Sequence, residues 1–279
     1  EIIYSYICCH HYFLFHLFNF LMQNYDYIIT GSGASGLMLA YRMAKDSFFD
    51  NASILIIDKE KKTSNDRTWC FWENGEGEWD ELLHKSWDKI LFESNIYKNT
   101  IPLQSYAYKM LRSGVFYDKL WNFIETKNNI SFIKANVTSI LDTAEGVFVE
   151  TSICQYRAVK LLNSVDFDQK YTRQEEYPVL LQHFTGWFVE TKKNYFDDSV
   201  ATFMDFTIDQ KMNTRFMYVL PVSANKALFE YTLFSKDLLT KEEYEYELQK
   251  YLELNSIKEY TITEIEKGII PMTSFKFWQ

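Results

Sequence analysis

The chain has 279 residues, enough for one large or two modest domains, and its 47% hydrophobic and 24% charged residues are typical of a globular protein. The formal net charge of -9 argues against a nucleic-acid partner, because phosphate binding needs a basic surface. Aromatic residues make up 18% of the chain, which indicates a core built from rings, a pocket for a long apolar ligand or a compositional bias. The four cysteines form no CxxC pair and no zinc-site spacing, so we expect no metal and a reduced, cytoplasmic setting.

The first residues form an apolar tract with no charge between Glu1 and Asp26. The tract is long enough to span a bilayer, but it lacks the basic start of a signal peptide, and the chain does not begin with Met. We interpret Met22 as the natural start and residues 1–23 as an apolar leader that is not native. A membrane anchor and an ordinary packed helix are the alternatives. The histidines of this tract receive no metal role.

The first predicted elements form a βαβ unit. The pattern predicts a buried parallel strand over Tyr25–Thr30, a helix over Leu37–Ala44 and a second strand over Ser53–Asp58. Glycines occupy the turn between the first strand and the helix. A strand, a tight turn and an opening helix are the context in which a Rossmann-type dinucleotide site occurs.

The turn fits the pattern GxGxxG through Gly31, Gly33 and Gly36. Gly31 permits the tight turn, Gly33 lets the backbone approach a pyrophosphate, and Gly36 lets the helix pack closely on the strand. The helix N-terminus offers N–H groups to the phosphates, and Asp58 can accept a hydrogen bond from a ribose hydroxyl. These residues alone do not separate FAD from NAD. A glycine motif early in the chain, followed by an antiparallel domain, is the layout of many FAD enzymes.

The pattern of predicted elements changes at Asp166, from mixed helices and strands to successive strands. Before it, we expect a helix over Tyr106–Phe123 with Arg112 inside it, and strands over Ile101–Leu103, Ile130–Val137, Thr138–Leu141, Val147–Thr151 and Val159–Val165. After it, four strand candidates follow one another without helices, which indicates an antiparallel sheet. An amphipathic helix is predicted over Thr240–Leu254, with Thr240 and Glu243 as a capping box.

Five segments resemble those of the bacterial lycopene cyclase family. They are RTWCFWE (Arg67–Glu73), LQHFTGWFVET (Leu181–Thr191), FMDF (Phe203–Phe206), FMYVLPVSANKALFEYTLFS (Phe216–Ser235) and GIIPMT (Gly268–Thr273). With the glycine motif, the resemblance covers the chain from about Asn24 to its end. The implied fold is α/β: a Rossmann-type FAD-binding domain plus an antiparallel-sheet substrate domain, similar to FAD aromatic hydroxylases and geranylgeranyl reductases.

The domain boundaries follow from these segments. We expect the FAD-binding domain over residues 24–165 and the substrate-binding sheet domain over residues 166–279. Family members continue beyond the point where this chain stops, after PMTSFKFWQ. We therefore expect a truncated family member whose FAD-binding domain is incomplete, and we expect these 279 residues alone to bind FAD poorly and to have little activity.

The resemblance implies a lycopene β-cyclase, an isomerase that closes the linear ends of lycopene into β-rings in carotenoid biosynthesis. The implied cofactor is reduced FAD, which is not consumed, with NAD(P)H as the electron donor. The implied partner is lycopene or a related linear carotenoid, reached by a cytoplasmic protein through peripheral membrane contact. A flavin-dependent monooxygenase or an isoprenoid reductase of the same fold is the alternative. A non-catalytic, membrane-associated fragment is a third hypothesis.

This chemistry needs a carboxylic acid that stays protonated in an apolar pocket. Glu230 in ALFEYT matches the position of the family's catalytic acid. Strand alternation puts it on the face opposite Phe229 and Tyr231, so an outward-facing glutamate is the alternative. The next position is often acidic in related cyclases and is Tyr231 here, which puts a paired-carboxylate mechanism in doubt.

Further site candidates are one carboxylate and two arginines. Asp205 is expected to orient Glu230, to contact a loop backbone or to be structural. Arg67 and Arg112 are expected to bind the cofactor, because a guanidinium suits a phosphate or the edge of the flavin ring; surface salt bridges are the alternative. Three aromatic residues are candidates for the wall of a polyene tunnel or for the core: Trp69, Phe71 and Trp72.

Overall fold

The computed structural model describes residues 22–165 and 170–277. Most of the apolar leader, with Cys8, Cys9 and its histidines, lies outside the described residues. The chain divides into two compact units, the first formed by residues 22–64 and 114–165 and the second by residues 65–113 and 170–277. Residues 65–113 therefore belong to the second unit and not to the predicted nucleotide-binding domain.

The strands, in chain order, are β1 (Gln23–Thr30), β2 (Ile54–Asp58), β3 (Thr68–Asn74), β4 (Leu83–Trp87), β5 (Lys89–Ser94), β6 (Tyr97–Pro102), β7 (Tyr106–Arg112), β8 (Ile130–Lys134), β9 (Val137–Thr143), β10 (Gly146–Thr151), β11 (Gln155–Asn163), β12 (Val179–Thr191), β13 (Ala201–Asp205), β14 (Arg215–Ser223), β15 (Lys226–Ser235) and β16 (Tyr260–Thr273). The helices are α1 (Ala34–Lys45), α2 (Ser113–Ile124) and α3 (Lys241–Leu254). Among the described residues, no helix has the length and apolar character that crossing a membrane requires.

The first unit is built on a six-stranded sheet in the order β8-β2-β1-β11-β10-β9. The first four strands of that order pair in parallel, and β10 and β9 complete the sheet as an antiparallel ribbon. Residues 54–57 of β2 are all fully buried, as expected for a parallel strand covered on both faces. The predicted βαβ unit is confirmed by β1, α1 and β2.

The second unit contains a seven-stranded sheet in the order β16-β12-β15-β14-β13-β5-β6 and a three-stranded sheet in the order β3-β7-β4. The larger sheet is antiparallel, as predicted, except where β13 pairs with β5 in parallel. Its capped helix α3 begins with the predicted box, in which Thr240 and Glu243 satisfy each other's backbone N–H groups.

The two faces of the large sheet have different partners. On one face, Phe229, Tyr231 and Leu233 of β15 pack with residues of α3 such as Leu248. On the other face, Leu228 of the same strand packs in a cluster that includes residues of the three-stranded sheet. Alternate residues of β15 therefore pack into two separate hydrophobic cores, because successive side chains of a strand point to opposite faces of the sheet.

The prediction of a helix over Tyr106–Phe123 is wrong in its first half. Residues 106–112 form β7, the central strand of the three-stranded sheet, and the helix α2 begins at Ser113. Residues 108–112 of β7 are all buried, which means that both faces of the strand are covered, and a buried run without alternation resembles a helix segment in sequence. Arg112 is the last residue of this strand.

Candidate active site

A cavity of about 390 Å³ lies in the second unit, on the face of the large sheet opposite α3. It is lined by Arg67, Thr68, Trp69, Cys70, Tyr108, Gln182, Phe184, Tyr218, Leu220, Leu228, Glu230, Glu266, Gly268, Ile269 and Ile270. The three-stranded sheet and the residue just before it contribute the first five of these residues, and the large sheet contributes the rest. Most of the wall is aromatic or aliphatic, and the two carboxylates are Glu230 and Glu266.

The two carboxylates lie in one row across three adjacent strands. Gly186 of β12 pairs with Glu230 of β15 on one side and with Glu266 of β16 on the other. Residues in such a row share a face of the sheet, so both side chains project into the cavity from either side of a glycine. The strand pairing therefore brings together two acids that stand 36 positions apart in the sequence.

Glu230 has the properties of an acid that stays protonated. Burial raises its pKa from 4.5 to about 8, and the charge of Glu266 adds to the rise. The Thr232 hydroxyl donates a hydrogen bond of 2.8 Å to Glu230 Oε1, which partly opposes the shift. The alternative of an outward-facing strand glutamate does not hold, because this face of β15 borders the cavity.

Glu266 lies among more polar and positively charged partners. Burial raises its pKa, while the Thr68 hydroxyl, which donates a 2.6 Å hydrogen bond to Oε2, acts in the opposite direction. The positive charges of Arg112 and Arg67 also lower its pKa, the negative charge of Glu264 raises it, and on balance the pKa lies above its ordinary value. The charged form is thus better supported at Glu266 than at Glu230.

Arg112 is buried at the edge of this site, with only 6% of its surface exposed. Its guanidinium pairs with Glu264 and lies 4.3 Å from the centre of the Phe188 ring. Its Nε is buried without a hydrogen-bond partner among the described residues. Arg112 also stands opposite Thr68 in the β3–β7 ladder, so this end of the ladder contacts both Glu264 and Glu266.

The uncharged wall of the cavity is rich in rings. Burial raises the pKa of the Cys70 thiol to about 12 and raises the pKa values of Tyr108 and Tyr218, so all three are neutral near pH 7. Trp69 lines the cavity directly. The centroid of the Trp72 ring lies 4.6 Å from that of Tyr108, but Trp72 itself is not a lining residue.

Asp205 is not brought together with Glu230. It pairs with Met217, which pairs with Tyr231, and that row belongs to the α3 face of the sheet. Its Oδ2 accepts a 2.7 Å hydrogen bond from the hydroxyl of Tyr251, and its Oδ1 accepts one of 2.8 Å from the backbone N–H of Thr207. Of the predicted roles, the structure shows the loop contact.

We expect Tyr251→Phe to lower the free energy of unfolding by about 1–3 kcal/mol, because it leaves a carboxylate oxygen of Asp205 buried without that donor. Thermal or urea unfolding measures the loss. The matched control is Tyr246→Phe in the same helix, where the residue is 59% exposed and the change should be within about 0.5 kcal/mol of zero. Equal stability of the two variants would contradict this account of Asp205.

The glycine turn lies in the first unit, between β1 and α1. Gly31 has a φ of +94°, and a Cβ there would lie 2.1 Å from Ser164 Oγ. A Cβ on Gly36 would lie 1.9 Å from the carbonyl oxygen of Gly31, so the close packing predicted for Gly36 is observed. A Cβ on Gly33 would meet nothing within 4 Å. The space beside Gly33 is therefore open at the N-terminus of a helix, where phosphate groups bind.

Asp58 contacts the same turn. Its Oδ2 accepts hydrogen bonds from the backbone N–H and the hydroxyl of Ser32, and its Oδ1 accepts one of 3.3 Å from the N–H of Glu60. The carboxylate therefore fixes the turn from the end of β2, and Oδ1, which accepts only one hydrogen bond among the described residues, still has a lone pair for a further donor such as a ribose hydroxyl.

A family model described as "Lycopene cyclase protein" matches residues 26–278. The chain belongs to this family. A comparison with curated proteins found no match. The predicted family is therefore confirmed, on a match that includes both the glycine turn and the strands of the cavity.

Solved structures share the fold of this family member. A geranylgeranyl bacteriochlorophyll reductase-like protein from Thermoplasma acidophilum has a TM-score of 0.65 at 13% identity, over 89% of this chain and 66% of that chain. The flavin-dependent brominase Bmp2 gives 0.60 at 13% identity, over 90% and 68% of the two chains. The halogenase PltM gives 0.60 at 14%, over 88% and 60%. The chain thus spans about two thirds or less of these proteins, and the likeness confirms the predicted α/β fold.

The residues predicted for this cyclase-family site are distributed over three places. Glu230 and Arg67 line the cavity, whereas Arg112 is not a lining residue and pairs with Glu264, two positions before the lining residue Glu266. Asp205 lies on the other face of the sheet, and the glycines with Asp58 lie in the first unit. Sequence reasoning missed Glu266. The only signal for it was a pair of glutamates two positions apart in the isoleucine-rich strand TITEIEKG, which places them on one face.

Proposed function

We propose that this member of the lycopene cyclase family is a flavin-dependent lycopene β-cyclase that closes the linear ends of lycopene by acid–base catalysis. The observation that carries the proposal is Glu230, a carboxylic acid whose pKa is raised to about 8 in an aromatic-lined cavity. A polyene has no polar group for an enzyme to act on, so ring closure has to begin with a proton placed on the terminal double bond. A neutral carboxylic acid in an apolar site can supply that proton.

The wall of the cavity suits the intermediate. Protonation leaves a tertiary carbocation, which is attracted to the faces of aromatic rings such as those of Trp69, Tyr108 and Tyr218. Water would capture this cation as an alcohol, and apolar lining residues such as Leu220 and Leu228 reduce its access. Acid, rings and apolar wall are the three requirements of the reaction, and they converge in one cavity.

The glycine turn fits the dinucleotide part of FAD. Gly31, Gly33 and Gly36 would hold the pyrophosphate at the N-terminus of α1, and Asp58 would bind the ribose. Arg67 and Arg112 are the proposed cationic contacts, and the unpartnered Nε of Arg112 leaves it a donor to offer. Two of the structural neighbours are described as a flavin-dependent brominase and a halogenase with bound FAD. Reduced FAD, with NAD(P)H as electron donor, supplies an electron-rich ring that stabilises positive charge without being consumed.

The substrate sets the proposed location. Lycopene dissolves in the bilayer, so we place the enzyme in the cytoplasm in peripheral contact with the membrane, with no nucleic-acid partner. Lycopene or a related linear carotenoid would enter the cavity from the lipid.

The proposal is tested by expressing the complete reading frame that encodes this chain in a lycopene-accumulating bacterium and separating the pigments by HPLC. Conversion of lycopene to β-carotene is the expected result. A product that gains oxygen would support a monooxygenase instead, and a product that gains hydrogen would support an isoprenoid reductase. The second alternative has specific support in the reductase-like structural neighbour. Unchanged lycopene in cells that contain the folded, flavin-bound protein would contradict the proposal.

The rate of cyclisation should depend on pH through Glu230. Because the protonated form of Glu230 is the active acid, the rate should fall about tenfold per pH unit above about pH 8. Cys70, Tyr108 and Tyr218 stay neutral through this range, and Glu266 is the other group in the cavity that titrates with Glu230. Initial rates with reduced flavin, from about pH 6 to about pH 10, measure the profile. A rate that rises across this range would contradict the assignment.

A further inference from the structure

The row formed by Glu230, Gly186 and Glu266 leaves a gap between two acids. Neighbouring strands lie about 4.8 Å apart, so the backbones of the two glutamates are separated by about 10 Å, with a glycine between them. A Cβ on Gly186 would lie 2.9 Å from Leu228 Cδ1 and 3.3 Å from Glu266 Cγ. The absence of a side chain at Gly186 therefore keeps the floor between the carboxylates low, and this leaves room for a flat hydrocarbon to lie across it.

The surroundings of Glu230 favour its protonated form more than the surroundings of Glu266 favour the protonated form of Glu266. Glu230 has one hydrogen bond to its side chain, from Thr232, and an apolar environment. Glu266 accepts a short hydrogen bond from Thr68 and lies near the positive charges of Arg112 and Arg67, with the carboxylate of Glu264 paired to Arg112. A pair of carboxyl groups whose environments separate their proton affinities is the arrangement that assigns one as acid and the other as base.

We infer that Glu266 is the catalytic base of the cyclisation, and that the end of the polyene lies over Gly186 between the acid Glu230 and this base. The inference rests on the proposed function and adds the residue that completes the reaction. A paired-carboxylate mechanism is therefore possible although position 231 is a tyrosine, since the second carboxylate comes from β16 and not from the position after Glu230.

The proton balance closes with these two residues. Glu230 gives its proton to the terminal double bond, whose electron pair forms the new C–H bond and leaves a tertiary carbocation. The electron pair of a second double bond closes the ring and moves the cation into it. The Glu266 carboxylate takes the proton from the ring carbon that carries the polyene chain, and that C–H electron pair becomes the ring double bond. Transfer of the proton from Glu266 to Glu230 returns both residues to their initial protonation states, so the reaction consumes no electron and no co-reactant.

The position of the base also selects the product. Loss of the proton from the carbon that carries the chain gives a β-ring, whereas loss from the neighbouring CH₂ or from the methyl group gives an ε- or a γ-ring. A carboxylate fixed by Thr68 at one side of the row can reach one of these protons better than the others. Glu266 is therefore expected to control where the ring double bond forms.

The test compares the complete wild-type enzyme with its Glu266→Gln and Glu266→Asp variants, with lycopene in vesicles and the flavin reduced. We expect Glu266→Gln to lower β-ring formation by about tenfold or more, and to yield rings with a displaced double bond or a hydroxyl group from water. Glu266→Asp keeps a carboxylate, so it should retain β-rings as the main product at a reduced rate. Flavin absorbance and thermal unfolding establish that both variants fold.

Two results would overturn the inference alone, given an active wild type. One is a Glu266→Gln enzyme that forms β-rings at the wild-type rate. The other is an equal loss of rate in the Gln and Asp variants with no displaced product, because a merely structural role would not depend on which variant keeps a carboxylate. A wild-type enzyme that leaves lycopene unchanged would instead refute the proposed function, and the inference with it.

Discussion

Replacing Glu230 by Gln should abolish cyclisation and leave the fold intact. Glutamine has nearly the shape of a protonated glutamate and can still accept the hydrogen bond from Thr232, but it cannot supply a proton. Loss of a general acid lowers a rate by about a hundredfold to ten-thousandfold. The other carboxyl group that lines the cavity, Glu266, lies across Gly186 from Glu230 and is not in a position to replace it. Cells that carry the variant should stay red, and HPLC should show lycopene without rings.

The control for Glu230→Gln is the same substitution at Glu190. Glu190 also lies in the large sheet, but its side chain is exposed, and it pairs in the ladder with Lys226. Glu190→Gln should therefore make β-carotene at the wild-type rate. Both variants should bind flavin and unfold at the wild-type temperature, since glutamine replaces the neutral acid of Glu230 with little change in shape and keeps the hydrogen bond from Thr232, and since Glu190 is exposed. β-Carotene formed at the wild-type rate by the Glu230→Gln variant would refute the assignment of the acid.

Local patterns were sufficient where one stretch of sequence decides the structure. The glycine turn, the parallel strand before it and the acidic end of β2 are contained in about thirty residues, and the Gly36 contact with the Gly31 carbonyl lies inside that stretch. The same holds for the face of Glu230, which follows from alternation with Phe229 and Tyr231 alone. What alternation does not reveal is whether the other face meets solvent or a second sheet.

Long-range pairing accounts for what the sequence did not predict. The row through Gly186 joins strands whose residues are 44 and 80 positions from it, and a shift of one residue would turn either glutamate to the opposite face. The register is set by packing over the whole sheet and not by the residues near Glu266. The helix predicted around Arg112 failed for a related reason, because a strand that is buried on both faces loses the alternation by which a strand is recognised.

Gly33→Asp should abolish FAD binding without destabilising the protein. Gly33 is the N-cap of α1, its φ of -70° is open to any residue, and a Cβ there meets no protein atom within 4 Å. Asp is a favourable N-cap that satisfies a backbone N–H of the first turn, so the unfolding temperature of the flavin-free enzyme should stay the same or rise slightly. The same side chain fills the space beside the helix N-terminus and repels a pyrophosphate, and the dissociation constant for FAD should increase by at least about a hundredfold.

The isosteric variant Gly33→Asn separates charge from bulk, because it caps the helix equally well but carries no negative charge. We expect it to bind FAD more weakly than the wild type and more tightly than the Asp variant, as measured by flavin fluorescence titration of the complete enzyme. Gly36→Ala differs from both: its Cβ would collide with the Gly31 carbonyl, so it should lose stability together with binding. Normal FAD affinity in Gly33→Asp would mean that the nucleotide does not lie on this turn, and a loss of stability would mean that the space beside Gly33 is not open to a ligand.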